Sequence, residues 1–177
     1  MSNLPLLLLD VDGPLNPYRA LFTRHRGYVT RRLHPSGWTN RQAPGSRRLR
    51  RGLRVRLHPG HGARLRALPY ELAWATTWMH EANEMIAPVI GLPGDLPVIE
   101  FTNLFAEDPD GLYWKTRRVV EWAAGRPFVW VDDMITDLDV RHVAEHHEGP
   151  ALLLRIDPRL GLRDPEFARL ERWAHSL

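Results

Sequence analysis

Apolar residues in this chain come in short runs that end in polar side chains. Residues 6–9 are all leucine, too short a run for a helix, and lead straight into Asp10-Val11-Asp12-Gly13. That pattern predicts a buried strand delivering two acids to the edge of a sheet, with Gly13 allowing a tight turn after them. Residues 71–77, 96–101, 127–133 and 151–156 repeat the theme and predict four further strands, of which 71–77 ends in Thr76-Thr77 and 127–133 in Asp132-Asp133. Between them the apolar spacing turns helical. Residues 61–68 form a short helix closed by Pro69, and 78–90 an amphipathic one carrying Met79, Ala82, Met85, Ile86 and Val89. Residues 113–124 stop at Gly125, 136–148 follow the strand at 127–133, and a closing helix runs to Trp173 with Asp164 as N-cap and Pro165 in its first position. Strands alternating with helices of this length predict an α/β fold, a mainly parallel sheet with helices on both faces.

One region breaks the alternation. Pro14 and Pro17 keep the chain out of a regular helix after the first strand. Residues 28–35 and 53–59 then alternate polar and apolar and each stop at a proline, which predicts the two strands of a hairpin. Residues 36–52, rich in Gly, Pro, Ser and Arg, predict a flexible loop between them. The insert, at about residues 17–58, is too short for a second domain and reads as a flap beside the sheet edge. With 177 residues the whole chain reads as a single domain, 1–177.

Composition adds three points. Hydrophobic content of 44% and charged content of 25% are those of an ordinary globular protein. There is no cysteine, which excludes disulfides, thiolate metal sites and cysteine nucleophiles and fits a reducing, cytoplasmic setting. The leucine run is too short for a signal-peptide core and nothing approaches membrane-spanning length, so no membrane role is expected. The net charge of +3 conceals an asymmetry, because residues 13–70 contain no acidic residue and many arginines, including Arg47-Arg48-Leu49-Arg50-Arg51. Such a block can attract phosphate-rich partners, nucleic acid among them; a solvated basic loop is the plainer alternative.

Three predicted strands thus end in polar groups: Asp10 and Asp12, Thr76 and Thr77, Asp132 and Asp133. A parallel sheet lines these ends along one edge, where ligands bind in open α/β sheets. Clustered carboxylates repel and call for a cation, and an all-oxygen set matches Mg²⁺ shared with a phosphate. Threonine donates to phosphate oxygens, and Lys115, the only lysine in an arginine-rich chain, supplies a compact positive charge. Taken singly, each feature has a plainer reading: an Asx turn for the acids, a surface lysine for Lys115. His142, His146 and His147 sit at helical spacing among acids and read as a solvated helix end, while His58 and His61 flank a Pro-Gly turn next to the insert.

These residues, in this order, resemble the haloacid dehalogenase-like (HAD) superfamily of phosphohydrolases. Asp10-Val11-Asp12-Gly13 resembles its first motif, Ala73-Trp74-Ala75-Thr76 the second, Lys115 the third, and Val131-Asp132-Asp133 with Asp137 the fourth. The resemblance implies a Rossmann-like core and an Mg²⁺-dependent phosphomonoesterase working through an aspartyl-phosphate. Asp10 would be the nucleophile and Asp12 the proton shuttle, both catalytic, with Thr76, Thr77 and Lys115 binding the substrate phosphate. The metal would be held by Asp10, the backbone carbonyl of Asp12 and either Asp132 or Asp133, and Asp137 is a candidate to orient Lys115. Asp12 argues against true dehalogenation, since the dehalogenases of this superfamily lack it. Pro14 departs from the usual threonine or valine. The expected substrate is a phosphorylated small molecule, with a nucleic-acid end or a phosphoprotein as the other class. The rival reading is a non-enzymatic module of the same fold that binds nucleic acid or a protein through its arginine-rich insert.

Overall fold

The computed structural model of the protein describes residues 4–20 and 26–177; the part of the insert at 21–25 lies outside them. Strand β1 is Leu6–Leu9. The insert contributes β2 (Val29–Leu33), short helices α1 (Ser36–Thr39) and α2 (Arg47–Arg51), and β3 (Leu53–Leu57). The core resumes with α3 (His61–Ala67), β4 (Glu71–Trp74), a π-helical turn at Ala82–Ile86 and α4 (Ala87–Ile90). It ends with α5 (Thr116–Ala123), β5 (Phe128–Asp132), α6 (Asp137–His146), β6 (Ala151–Arg155) and α7 (Asp164–Ala174).

The central sheet has the order β4-β1-β5-β6, and every neighbouring pair is parallel. Because side chains on a strand alternate, the leucine run supplies both faces at once. Leu7 and Leu9 pack with Trp74, Ile86, Ile90, Phe167 and Leu170 on one face, and Leu6 and Leu8 with Val119, Ala123, Trp130 and Val143 on the other. All four leucines are fully buried, each contributing about 1.5–3 kcal/mol of transfer free energy. Strands β2 and β3 form a separate antiparallel pair with Val29 opposite Leu57, as expected for the flap, and Val55 and Leu57 anchor it in the first of these clusters. Among the described residues no helix is long and apolar enough to cross a membrane.

The structure departs from the sequence expectations in several places, each with a local cause. Residues 96–101 form no strand; the contact is a single bridge from Val98 to Trp74, with Trp74 N–H donating to the Pro97 carbonyl (2.8 Å) and Ile99 N–H to the Trp74 carbonyl (2.8 Å). Pro97 has no N–H to offer a longer ladder. The expected helix 78–90 has a wide π-helical turn because Pro88 cannot donate to the carbonyl of Glu84, as an α-helix requires. Buried Asn83 in that turn accepts from Trp74 Nε1 (2.8 Å) and Leu96 N–H (3.1 Å) and donates to the Leu96 carbonyl (2.8 Å), tying the turn to the sheet edge. The expected flexible loop 36–52 contains two short helices, the second N-capped by Ser46, whose side chain accepts from Leu49 N–H (3.1 Å). For α7 the cap is Arg163 rather than Asp164, which lies one position inside with Pro165 after it.

His61 opens α3 and is buried against Phe167, with ring centroids 5.6 Å apart, and stacked on His58 at 4.8 Å. Burial, then the charges of His58 and Arg64, push its pKa down from 6.5 to about 3. The unfolded chain therefore binds a proton that the folded one refuses. This contribution to stability is complete above pH 6.5 and is lost as pH falls from there toward about 3. Urea denaturation of wild type between neutral pH and about pH 4 is expected to lose on the order of 3 kcal/mol more than the His61→Phe variant. Parallel pH profiles of the two proteins would refute the assignment.

Candidate active site

Register assembles the site. Leu9 pairs with Trp74 on one side and with Val131 on the other, so the next residues of the three strands, Asp10, Ala75 and Asp132, emerge at the same level. Lys115, the N-cap residue of α5, reaches into the gap fully buried. Its ammonium donates to Asp132 Oδ2 (2.8 Å) and the Ala75 carbonyl (2.9 Å) and lies 3.0 Å from Asp10 Oδ2. These partners match the three donors of an ammonium. Burial alone would discharge the lysine, but the carboxylates of Asp10 and Asp132 outweigh it and hold its pKa well above the ordinary range. The pKa of Asp132 is raised, first by burial and then by the charge of Asp10, against the pull of Lys115.

Asp133 completes the cluster. Its Oδ2 accepts from the Tyr18 hydroxyl (2.9 Å), and a Cβ placed on Gly13 would fall 2.6 Å from the Asp133 Cβ. With φ at +96°, Gly13 meets two demands that only glycine fulfils: a left-handed backbone and contact with Asp133. Carboxylate oxygens of Asp10, Asp132 and Asp133 lie within 4.8 Å of one another. Three carboxylates against the single ammonium of Lys115 leave two negative charges in a buried space, the demand a divalent cation meets. An all-oxygen donor set suits a hard ion such as Mg²⁺. These residues fit a metal.

Asp12 stands apart from that cluster. Its Oδ1 accepts from Asn16 Nδ2 (2.7 Å) and its Oδ2 from Trp78 Nε1 (2.9 Å), so the carboxylate is aimed before any ligand arrives. Burial and then the charge of Asp10 raise its pKa above the ordinary carboxylate range. Thr76 is fully buried, and the turn it begins brings Trp78 over Asp12: Trp78 N–H donates to Thr76 Oγ1 (3.4 Å) and Met79 N–H to the Thr76 carbonyl (3.2 Å). Thr77 is half-buried and shares a cleft of about 90 Å³ with Asp12 and Trp78, walled on the flap side by Trp38 and Arg41.

Asp10, Asp12, Thr76, Thr77, Lys115, Asp132 and Asp133 therefore gather at one sheet edge. Asp137 does not join them. It is exposed at the start of α6, and the ammonium of Lys115 bonds elsewhere. The fully buried Asp139 instead fixes the approach of Lys115. Its Oδ1 accepts from Tyr113 N–H (2.8 Å) and Thr116 Oγ1 (2.6 Å), on either side of the lysine. Its Oδ2 accepts from Thr136 N–H (2.8 Å) and Oγ1 (2.6 Å), clamping the start of α5 to the start of α6. Asn16, Tyr18 and Asp139 were not singled out from the sequence; only Asp139 left a signal there, a Thr-x-x-Asp capping pattern beginning at Thr136.

Compared with known families, residues 6–167 match the model described as the HAD domain in Swiss Army Knife RNA repair proteins. The chain belongs to that family. No curated protein and no solved structure matches it. Membership of this HAD family accords with the four-stranded parallel sheet and its acid-lined edge. The match begins with β1 and takes in the whole insert, so the arginine-rich flap lies within the region that defines the family.

Proposed function

We propose that this HAD domain is a metal-dependent phosphohydrolase that removes a terminal phosphate from RNA through an aspartyl-phosphate on Asp10. The observation that carries the reading is the buried cluster of Asp10, Asp132 and Asp133 built around Lys115. The family's description as a domain of RNA repair proteins favours a nucleic-acid end over a small metabolite. A complete set of acids, threonines and lysine counts against a purely structural module.

Asp10, Asp132 or Asp133, and the backbone carbonyl of Asp12 would hold Mg²⁺, which when bound supplies positive charge to the phosphate oxygens. A carboxylate oxygen of Asp10 attacks phosphorus, forming an O–P bond as the bond to the ester oxygen breaks. Asp12, in its protonated form, delivers its proton to that leaving oxygen, a form that burial of its carboxyl favours. In the second half Asp12 takes a proton from water, the water oxygen bonds to phosphorus, and Asp10 is released with inorganic phosphate. Ester and water become alcohol and phosphate, and both acids return to their starting states. Throughout, Lys115 and the Thr76 region hold positive charge and hydrogen-bond donors beside the transferring oxygens.

Purified protein with Mg²⁺ is expected to release inorganic phosphate from RNA oligonucleotides phosphorylated at one end or the other, and chelation of the metal should stop it. If neither oligonucleotides, an aryl phosphate nor a broad panel of phosphorylated metabolites were hydrolysed, the reading would fail.

A further inference from the structure

The flap carries a second concavity that the proposed chemistry does not use. About 460 Å³ in volume, it is lined by Arg32, Arg47, Arg48, Arg51 and Arg54 together with Trp38. Among the described residues none of these arginines is paired with a carboxylate, and residues 13–70 contain no acid that could pair with them locally. Uncompensated positive charge in a groove recruits a polyanion.

Trp38 makes the groove more than a charged patch, because it also lines the cleft that contains Asp12. Trp38, together with Leu53, is thus common to the arginine groove and the cleft of the proposed reaction centre. It is held there from two directions. Ser36 N–H, at the start of the same helix, donates to Glu81 Oε1 of the core (2.7 Å), and the ring of His34 packs edge-on at 6.4 Å. On the core side the cleft is lined by Leu104 and Phe105; Phe105 is 64% exposed and its backbone adopts a left-handed φ of 62°. A bulky residue in that region is strained and needs a reason. Arg41 lies in the same cleft.

We infer that the flap is a single-strand guide. The phosphates of an RNA strand lie along the arginine groove, a base near the end stacks on Trp38, and the terminal phosphate drops past it toward Asp10 and Asp12. Groove, aromatic and reaction centre in series are what a strand end requires. A flat aromatic face accepts any unstacked base, whereas bases inside a duplex are already stacked on their neighbours. The inference rests on the phosphohydrolase reading only for what happens at the end of the strand.

Binding without turnover separates the two. Full-length Asp10→Asn protein is titrated with a short fluorescent single-stranded RNA, with a mononucleotide, and with an acidic peptide as a protein-like polyanion. The strand is expected to bind far more tightly than the mononucleotide. If all five arginines engage phosphates, its affinity falls about a hundredfold for a roughly fourfold rise in salt. Replacing Arg47, Arg48 and Arg51 by glutamine, all exposed positions, should lower the salt slope by about 2 and the affinity by more than about tenfold. Trp38→Ala should cost about tenfold for the strand and nothing for the peptide. Strand affinity untouched by the arginine changes, or a peptide that binds as well as RNA, would overturn the guide. Strand binding that behaves as expected in a protein whose wild type releases no phosphate would support the guide and sink the phosphohydrolase reading alone.

Discussion

Asp10→Asn is expected to lower the metal-dependent phosphatase rate by at least about four orders of magnitude while leaving the fold intact. The amide keeps the shape of the carboxylate, and its one oxygen can still accept either from Lys115, which lies 3.0 Å from Asp10 Oδ2, or from the Val11 N–H, which lies 2.7 Å from Asp10 Oδ1. It cannot attack phosphorus. The loss should therefore appear in kcat, and acid-quenched wild type incubated with labelled substrate should retain phosphate on the protein where the variant retains none. A variant that turned over at even a tenth of the wild-type rate would remove Asp10 as nucleophile.

The second large effect is on stability. Lys115→Met removes the only cation that, among the described residues, pairs with the buried cluster of three acids, and leaves Asp10 and Asp132 facing each other without it. Breaking a buried pair on one side costs about 3–5 kcal/mol, a large share of the roughly 5–15 kcal/mol that holds a typical domain together. Denaturation midpoints should fall accordingly. Adding Mg²⁺ should restore more stability to the variant than to wild type, because the ion replaces the missing charge. Combining Lys115→Met with Asp132→Asn should recover part of the loss, since one orphaned anion goes with it. An unchanged midpoint in the single variant would mean that the lysine does not hold the acids together.

Much of this site could be read before the fold was known, for definite reasons. Strand ends are written in consecutive residues, so a leucine run followed by Asp10 and Asp12, or Val131 followed by Asp132 and Asp133, announces both the element and its cargo. Lys115 stood out by being alone. What escaped was set by contacts across long stretches of chain: Trp78 to Asp12 and Tyr18 to Asp133 are made by loops whose course no local pattern dictates. Asp137 and Asp139 illustrate a finer limit. Both lie in the first turn of α6, and only the capping box with Thr136 turns Asp139 inward and leaves Asp137 in solvent. Residues 96–101 had the composition of a strand, but Pro97 withheld the donor that would have extended the single bridge to Trp74. In the flap the density of arginine, glycine and proline suggested a loop, while Ser46 was already placed to cap a helix.

The burial of Lys115 has a practical consequence. Because it is the only lysine, a lysine-specific endoprotease has one peptide bond to cut in the entire chain, the bond to Thr116, and both residues are fully buried. Cutting must wait until the start of α5 lifts away from Asp139 and the ammonium leaves its acids. The appearance of just two fragments is thus a clock for opening of the reaction centre, and any ligand that seats itself among those acids should slow it.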